Sequence, residues 1–124
     1  MIPIAALALL ATKPASVIPS LSDAQLCAGL ARSTRAMVGY MVGPAKVVSA
    51  APNCAAKRID VRYAVTIDEA LREKYVDTVL QAANSGLCVA NDPTARAFRD
   101  RGWRWHYDFE FADRSVVRRD LTCH

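Results

Sequence analysis

The alternation of apolar and polar positions is clearest in the last fifth of the chain. Trp103, Trp105, Tyr107, Phe109 and Phe111 occupy every second position, and Arg104, His106, Asp108 and Glu110 fill the gaps. A period of two puts the aromatic residues on one side of a strand and the polar ones on the other. After "ADR", the segment "SVVRRDLTC" reads as a second strand, so the two predict a hairpin. If Ala112, Asp113 and Arg114 form its loop, Phe111 opposes Ser115, Phe109 opposes Val117, Tyr107 opposes Arg119, Trp105 opposes Leu121 and Trp103 opposes Cys123. The polar side then pairs His106 with Asp120 and Asp108 with Arg118, each worth about 0.2–1 kcal/mol. A two-residue loop would set Phe109 against Arg118 and Tyr107 against Asp120. Slipping by one residue exchanges the faces and would bury charge, so the longer loop is favoured.

The same period marks "RIDVRYAV", where Ile59, Val61, Tyr63 and Val65 alternate with Arg58, Asp60, Arg62 and Ala64. "AKVVSA" precedes it as another strand, across the loop "APNCA". Helical spacing predicts three further elements. Ser22 and Gln25 form a capping-box pattern, with Leu21 and Leu26 placed as a hydrophobic staple, and a helix over 23–38 follows with Gly39 as its stop. Its apolar stripe is Leu26, Cys27, Leu30, Ala31, Thr34, Met37 and Val38. Thr66 and Glu69 repeat the capping pattern ahead of a long helix running to about Ser85, before Gly86. That helix carries a stripe of Ile67, Leu71, Tyr75, Val79, Ala82 and Ala83, widened by Val76 and Leu80, and an Asp68–Arg72 pair on its solvent side. A short helix opens with Asp92 as cap and Pro93 in the first turn and closes before Gly102. In it Ala95 and Phe98 face inward, and Arg96, Arg99 and Arg101 face outward.

These elements predict an α+β fold of order α-β-β-α-α-β-β, an antiparallel four-stranded sheet with one face covered by helices. The aromatic side belongs under the helices. Five such side chains remove about 1,000 Å² from water, an upper-bound gain on the order of 20 kcal/mol.

Ahead of the first predicted helix the chain reads differently. Ile4 to Ala11 is an unbroken apolar run, followed by a Pro- and Ser-rich stretch, so residues 1–22 read as a signal peptide or apolar leader and 23–124 as a single domain. The run is too short to span a bilayer as a helix, and no transmembrane segment is expected. Against the secretory reading, no Lys or Arg precedes the run, and Lys13 follows it. Cleavage after Ser22 or Ala24 would meet the small-residue requirement.

The four cysteines bear on compartment. Cys27, Cys54, Cys88 and Cys123 are separated by 27, 34 and 35 residues, without the close pairs of zinc ribbons or dithiol redox sites. Two structural disulfides fit an exported domain, periplasmic or secreted. Three pairings are possible. The hairpin register brings Cys123 to the start of the Trp103 strand, within reach of Cys88 across one short helix, which favours Cys88–Cys123 and leaves Cys27–Cys54.

Charge changes the picture less. Sixteen Lys and Arg oppose twelve Asp and Glu, a net charge of +4, scattered without a run of more than two like charges. Such a surface favours anionic partners weakly. Nucleic-acid binding by stacking would need exposed aromatics on a cationic sheet, but here the aromatic face is the core face, so no nucleic acid is expected. No HExxH, Gly-rich phosphate loop, Ser-His-Asp pattern or nucleophile elbow is present, and no metal or cofactor is expected. What remains is the polar sheet face: Arg58, Arg62, Arg104, His106, Asp108, Arg118 and Asp120. Read as chemistry, His106 with Glu110, Arg104 and Arg62 would suit phosphodiester cleavage by general acid and base, as in a small secreted ribonuclease. Read as structure, the same residues make a solvated ladder of cross-strand ion pairs.

The segment "REKYVDTVLQAANSGLCVANDPTARAFRDRGWRWHYDFEFADRSVVRRDLTC" resembles the C-terminal half of small exported bacterial proteins. Shared features are a long helix, a cysteine near its end, "DP" before a short helix, a glycine, an aromatic strand, a turn and a final strand ending in cysteine. Where those proteins carry a glycine in the turn, this chain has "ADRS". Their function is uncharacterised, so the resemblance implies export and fold and assigns no catalytic residue. The expectation is a non-enzymatic, disulfide-stabilised exported protein acting by protein contact, as an envelope component, inhibitor or immunity factor. Its partner would be another protein.

Overall fold

A computed structural model describes residues 20–91 and 93–123; the expected leader lies outside them save for its last three residues, and so does the expected cap Asp92. The elements are α1 (Asp23–Met37), β1 (Met41–Val42), β2 (Ala45–Asn53), β3 (Arg58–Val65), a 3₁₀ turn (Glu69–Leu71), α2 (Arg72–Asn84), a π-helical turn (Ser85–Val89), α3 (Pro93–Asp100), β4 (Arg104–Phe111) and β5 (Val116–Thr122).

The sheet has five strands in chain order, β1-β2-β3-β4-β5. It is mixed, and this corrects the expectation of four antiparallel strands. β3 and β4 run parallel, Arg58 beside Arg104 through to Val65 beside Phe111, while every other neighbour is antiparallel. The cause is the connection. The chain leaves the end of β3, passes through α2 and α3, and re-enters beside the start of β3, where the Arg104 N–H donates to the Lys57 carbonyl at 3.0 Å. A helical crossover of this length joins strands that point the same way. The fifth strand is the two-residue β1, folded onto β2 by Gly43 and Pro44. The positive φ of Gly43, 57°, at the first of two turn residues supplies the twist a tight hairpin needs.

The β4–β5 hairpin has the three-residue loop. Tyr107 opposes Arg119, Phe109 opposes Val117 and Trp105 opposes Leu121, and the Phe111 N–H donates to the Ser115 carbonyl. Arg114 takes a left-handed φ of 70°, the last-residue conformation of a loop of that kind.

All five aromatic residues of the ladder are buried. α2 and α3 cover it. Phe98 of α3 meets Trp103 and Trp105 edge-on, at 5.7 and 6.5 Å between ring centroids. Tyr75 of α2 meets Phe109 edge-on, and the Arg72 guanidinium lies 4.5 Å over the Phe111 ring. On β3, Tyr63 stacks on Phe109 and Tyr107. α1 packs over β2 with Leu26, Leu30 and Met37 buried, and its start carries the full Ser22–Gln25 capping box.

The long helix departs from expectation at both ends. Thr66 does not cap it: its N–H donates to the Pro44 carbonyl at 2.9 Å, Asp68 stays extended, and the chain enters α2 through the 3₁₀ turn. Leu71 is consequently exposed. Arg72 turns from Asp68 to Asp113 in the β4–β5 loop, 2.9 Å away. Gly86 does not stop the helix either, because the chain widens into the π-helical turn and buries Leu87. Arg99, expected to face outward, instead donates to the carbonyls of Leu87 and Ala90 at the end of that turn.

Candidate functional site

Polar residues of β3, β4 and β5 share the helix-free face of the sheet, and the register fixes who meets whom. His106 has Asp60 on one side and Asp120 on the other, and Asp108 has Arg62 and Arg118. Arg58 turns along its own strand to Asp60, with Nε at 2.5 Å and Nη2 at 3.1 Å. Arg62 reaches Asp108 and Glu110, each at 3.6 Å. Arg118 reaches Asp108 at 3.5 Å. Arg104 stays exposed and makes no ion pair among the described residues.

His106 is at the centre. Its Nδ1 lies 2.6 Å from Asp120 Oδ1 and its Nε2 lies 2.9 Å from Asp108 Oδ1. An ionised carboxylate only accepts, so both contacts are hydrogen bonds only when both ring nitrogens carry protons. Arg62 and Arg118 also lie beside Asp108, at 3.6 and 3.5 Å. Placed between two carboxylates, the ring is in a geometry that favours the imidazolium. Partial burial pulls the His106 pKa down, but the hydrogen bonds to Asp120 and Asp108 and their charges outweigh it, and the net direction is upward.

Five of the seven candidate surface residues, Arg62, His106, Asp108, Arg118 and Asp120, thus join one network, which Glu110 enters through Arg62, while Arg58 pairs separately with Asp60 and Arg104 stands outside. Asp60, the partner of Arg58, was not among the candidates. It lies on the period-two face with Arg58 and Arg62, and the parallel register sets it beside His106. In this arrangement neither ring nitrogen of His106 is free to accept a proton, as a general base must. A depression at the ends of the parallel pair, lined by Val65, Thr66, Glu110, Phe111 and Arg114, does not include His106. Among the described residues no three His, Cys, Asp or Glu side chains are grouped as metal ligands.

Two disulfides frame the domain. Cys27 on α1 bonds Cys54 in the β2–β3 loop, with 5.9 Å between Cα atoms. Cys88 in the π-helical turn bonds Cys123 after β5, with Cα atoms 5.1 Å apart. Among the described residues no helix is long and apolar enough to cross a membrane.

The chain matches no protein-family profile and no curated protein sequence. Its fold is similar to that of a solved structure, the pilotin EpsS from the type 2 secretion system of Vibrio vulnificus. The TM-score is 0.56, the identity 17%, and the likeness covers 82% of this chain and 89% of the pilotin. At that identity the likeness is one of fold.

Proposed function

We propose that this protein is a small exported component of the cell envelope that works by binding another protein. The observation that carries the reading is the fold likeness to a secretion-system pilotin, which runs through nearly the whole length of both chains. Two disulfides support it, since such bonds persist in oxidising compartments such as the periplasm. The polar sheet face adds to it: most of its charges are paired, Arg104 excepted, and His106 is held between two carboxylates.

In vivo cross-linking of the tagged chain in its own envelope tests the proposal. A discrete adduct with one envelope protein is expected, and it disappears when the cysteines are replaced and the domain loosens. Failure to form any reproducible adduct counts against the reading. An RNA-cleavage assay on the same preparation is expected to stay at background. Cleavage that His106→Ala abolishes, with the fold intact, would put a hydrolase in its place.

A further inference from the structure

The net charge of the chain has an uneven distribution that folding turns into a surface. From Ala24 to Ile59 there are five cations, Arg32, Arg35, Lys46, Lys57 and Arg58, and no aspartate or glutamate. From Asp60 to His124 eleven acidic residues face ten cations. The excess positive charge therefore belongs to α1, β2, the β2–β3 loop and the first residue of β3.

Two of the five are neutralised locally, Lys57 by Asp23 at 3.8 Å and Arg58 by Asp60. Arg32, Arg35 and Lys46 make no ion pair among the described residues, and all three are exposed. They stand around apolar side chains that the core does not take up: Val38, Tyr40, Met41 and Val48 are 47%, 56%, 65% and 41% exposed. The backbone brings these together. Gly39 N–H donates to the Val47 carbonyl and Val47 N–H to the Tyr40 carbonyl, so Val48 follows directly beside the 38–40 turn. There a β-bulge leaves Val48 without a partner on β3. Met41 opposes Lys46, which sets their side chains on the same side of the sheet. Arg35 lies one turn before Val38, on the solvent side of α1, with Arg32 behind it. The result is an exposed apolar strip at one edge of the sheet, with Lys46 on its helix-free side and Arg32 and Arg35 on the solvent side of α1.

We propose that this edge docks on an anionic lipid surface. Tyr40 and Met41 are the most exposed of these four side chains, which suits shallow insertion between headgroups. The nearby cations would meet a plane of phosphates. Three exposed cations without an ion pair among the described residues are the complement of such a plane. This contact leaves the ion-paired face of β3, β4 and β5 free for a protein partner.

Vesicle flotation with the full chain, disulfides intact, tests the proposal. Vesicles of phosphatidylglycerol and phosphatidylethanolamine are compared with vesicles of phosphatidylcholine alone. Binding to the anionic vesicles is expected, weakening as salt is raised. Each cation near such a surface contributes roughly fivefold, so R32Q/R35Q/K46Q together should lower partitioning about a hundredfold. Y40S/M41S should lower it as well, with no change in the thermal unfolding midpoint, because both side chains are exposed. Equal binding to phosphatidylcholine, or wild-type binding by the triple variant, would assign any association to the apolar residues 4–11 and overturn the proposal. Binding of soluble poly-glutamate without binding of anionic vesicles would overturn it too, and would make the edge a site for an acidic protein.

Discussion

Tyr107 is buried at the centre of the aromatic ladder, and its hydroxyl has no hydrogen-bond partner among the described residues. Burial pushes its pKa far up, so the group stays neutral, but a neutral hydroxyl without a partner still forfeits its hydration. Tyr107→Phe removes only that oxygen and should stabilise the protein by about 1 kcal/mol in urea unfolding. A loss of stability would show that the hydroxyl has a partner after all. His106 predicts a pH dependence of definite sign. Its folded pKa lies above the unfolded value of about 6.5. The stabilisation it provides is complete below the unfolded value and is lost as pH rises through the folded one. Against His106→Gln, the wild type should therefore unfold at a higher temperature below about pH 6, with the gap closing on the alkaline side. A gap that widens with pH would contradict the imidazolium. The pairing of His106 with Asp120 was legible in the sequence, because burying five aromatics allows one hairpin register. Its second bond, to Asp108 two residues along the same strand, was not. Residues i and i+2 share a face at a separation that only a turned ring can bridge.

The two helix starts look alike in sequence and behave differently in the fold. Ser22 and Gln25 exchange side-chain and backbone hydrogen bonds, whereas Thr66 is extended from β3 and held to the β1–β2 turn through its N–H. Ser22→Ala should accordingly cost about 1 kcal/mol, and Thr66→Ala less than about 0.5 kcal/mol, in chemical unfolding of the two variants. A capping pattern shows that a helix start is available. Whether it is used depends on where the preceding strand ends, which is a tertiary matter. Strand direction was hidden for a related reason. Alternation assigns residues to a face and is blind to orientation, so Ile59 and Trp105 were readable as core residues while their parallel alignment was not. The crossover from Thr66 to Trp103 held that information in its length. β1, at two residues, is too short to express any period.

The molecule as a whole is stapled at two places that its ladders leave open. Cys27–Cys54 ties α1 to the β2–β3 loop, and Cys88–Cys123 ties the π-helical turn to the end of β5. Loops of this size contribute about 3–4 kcal/mol each when closed. Substituting either pair by serine should lower stability by about that amount in denaturant titration, and full reduction should approach the sum. Negligible change in either would mean that the unfolded chain is constrained by other means. The second staple has a mechanical consequence. β5 is an edge strand, held by β4 alone, and a pull at its far end would ordinarily unzip it one hydrogen bond at a time. With Cys123 bolted to the body of the domain, tension arriving from that end passes into a covalent bond and the strand is shielded from peeling. A reductant then acts as a release catch for β5.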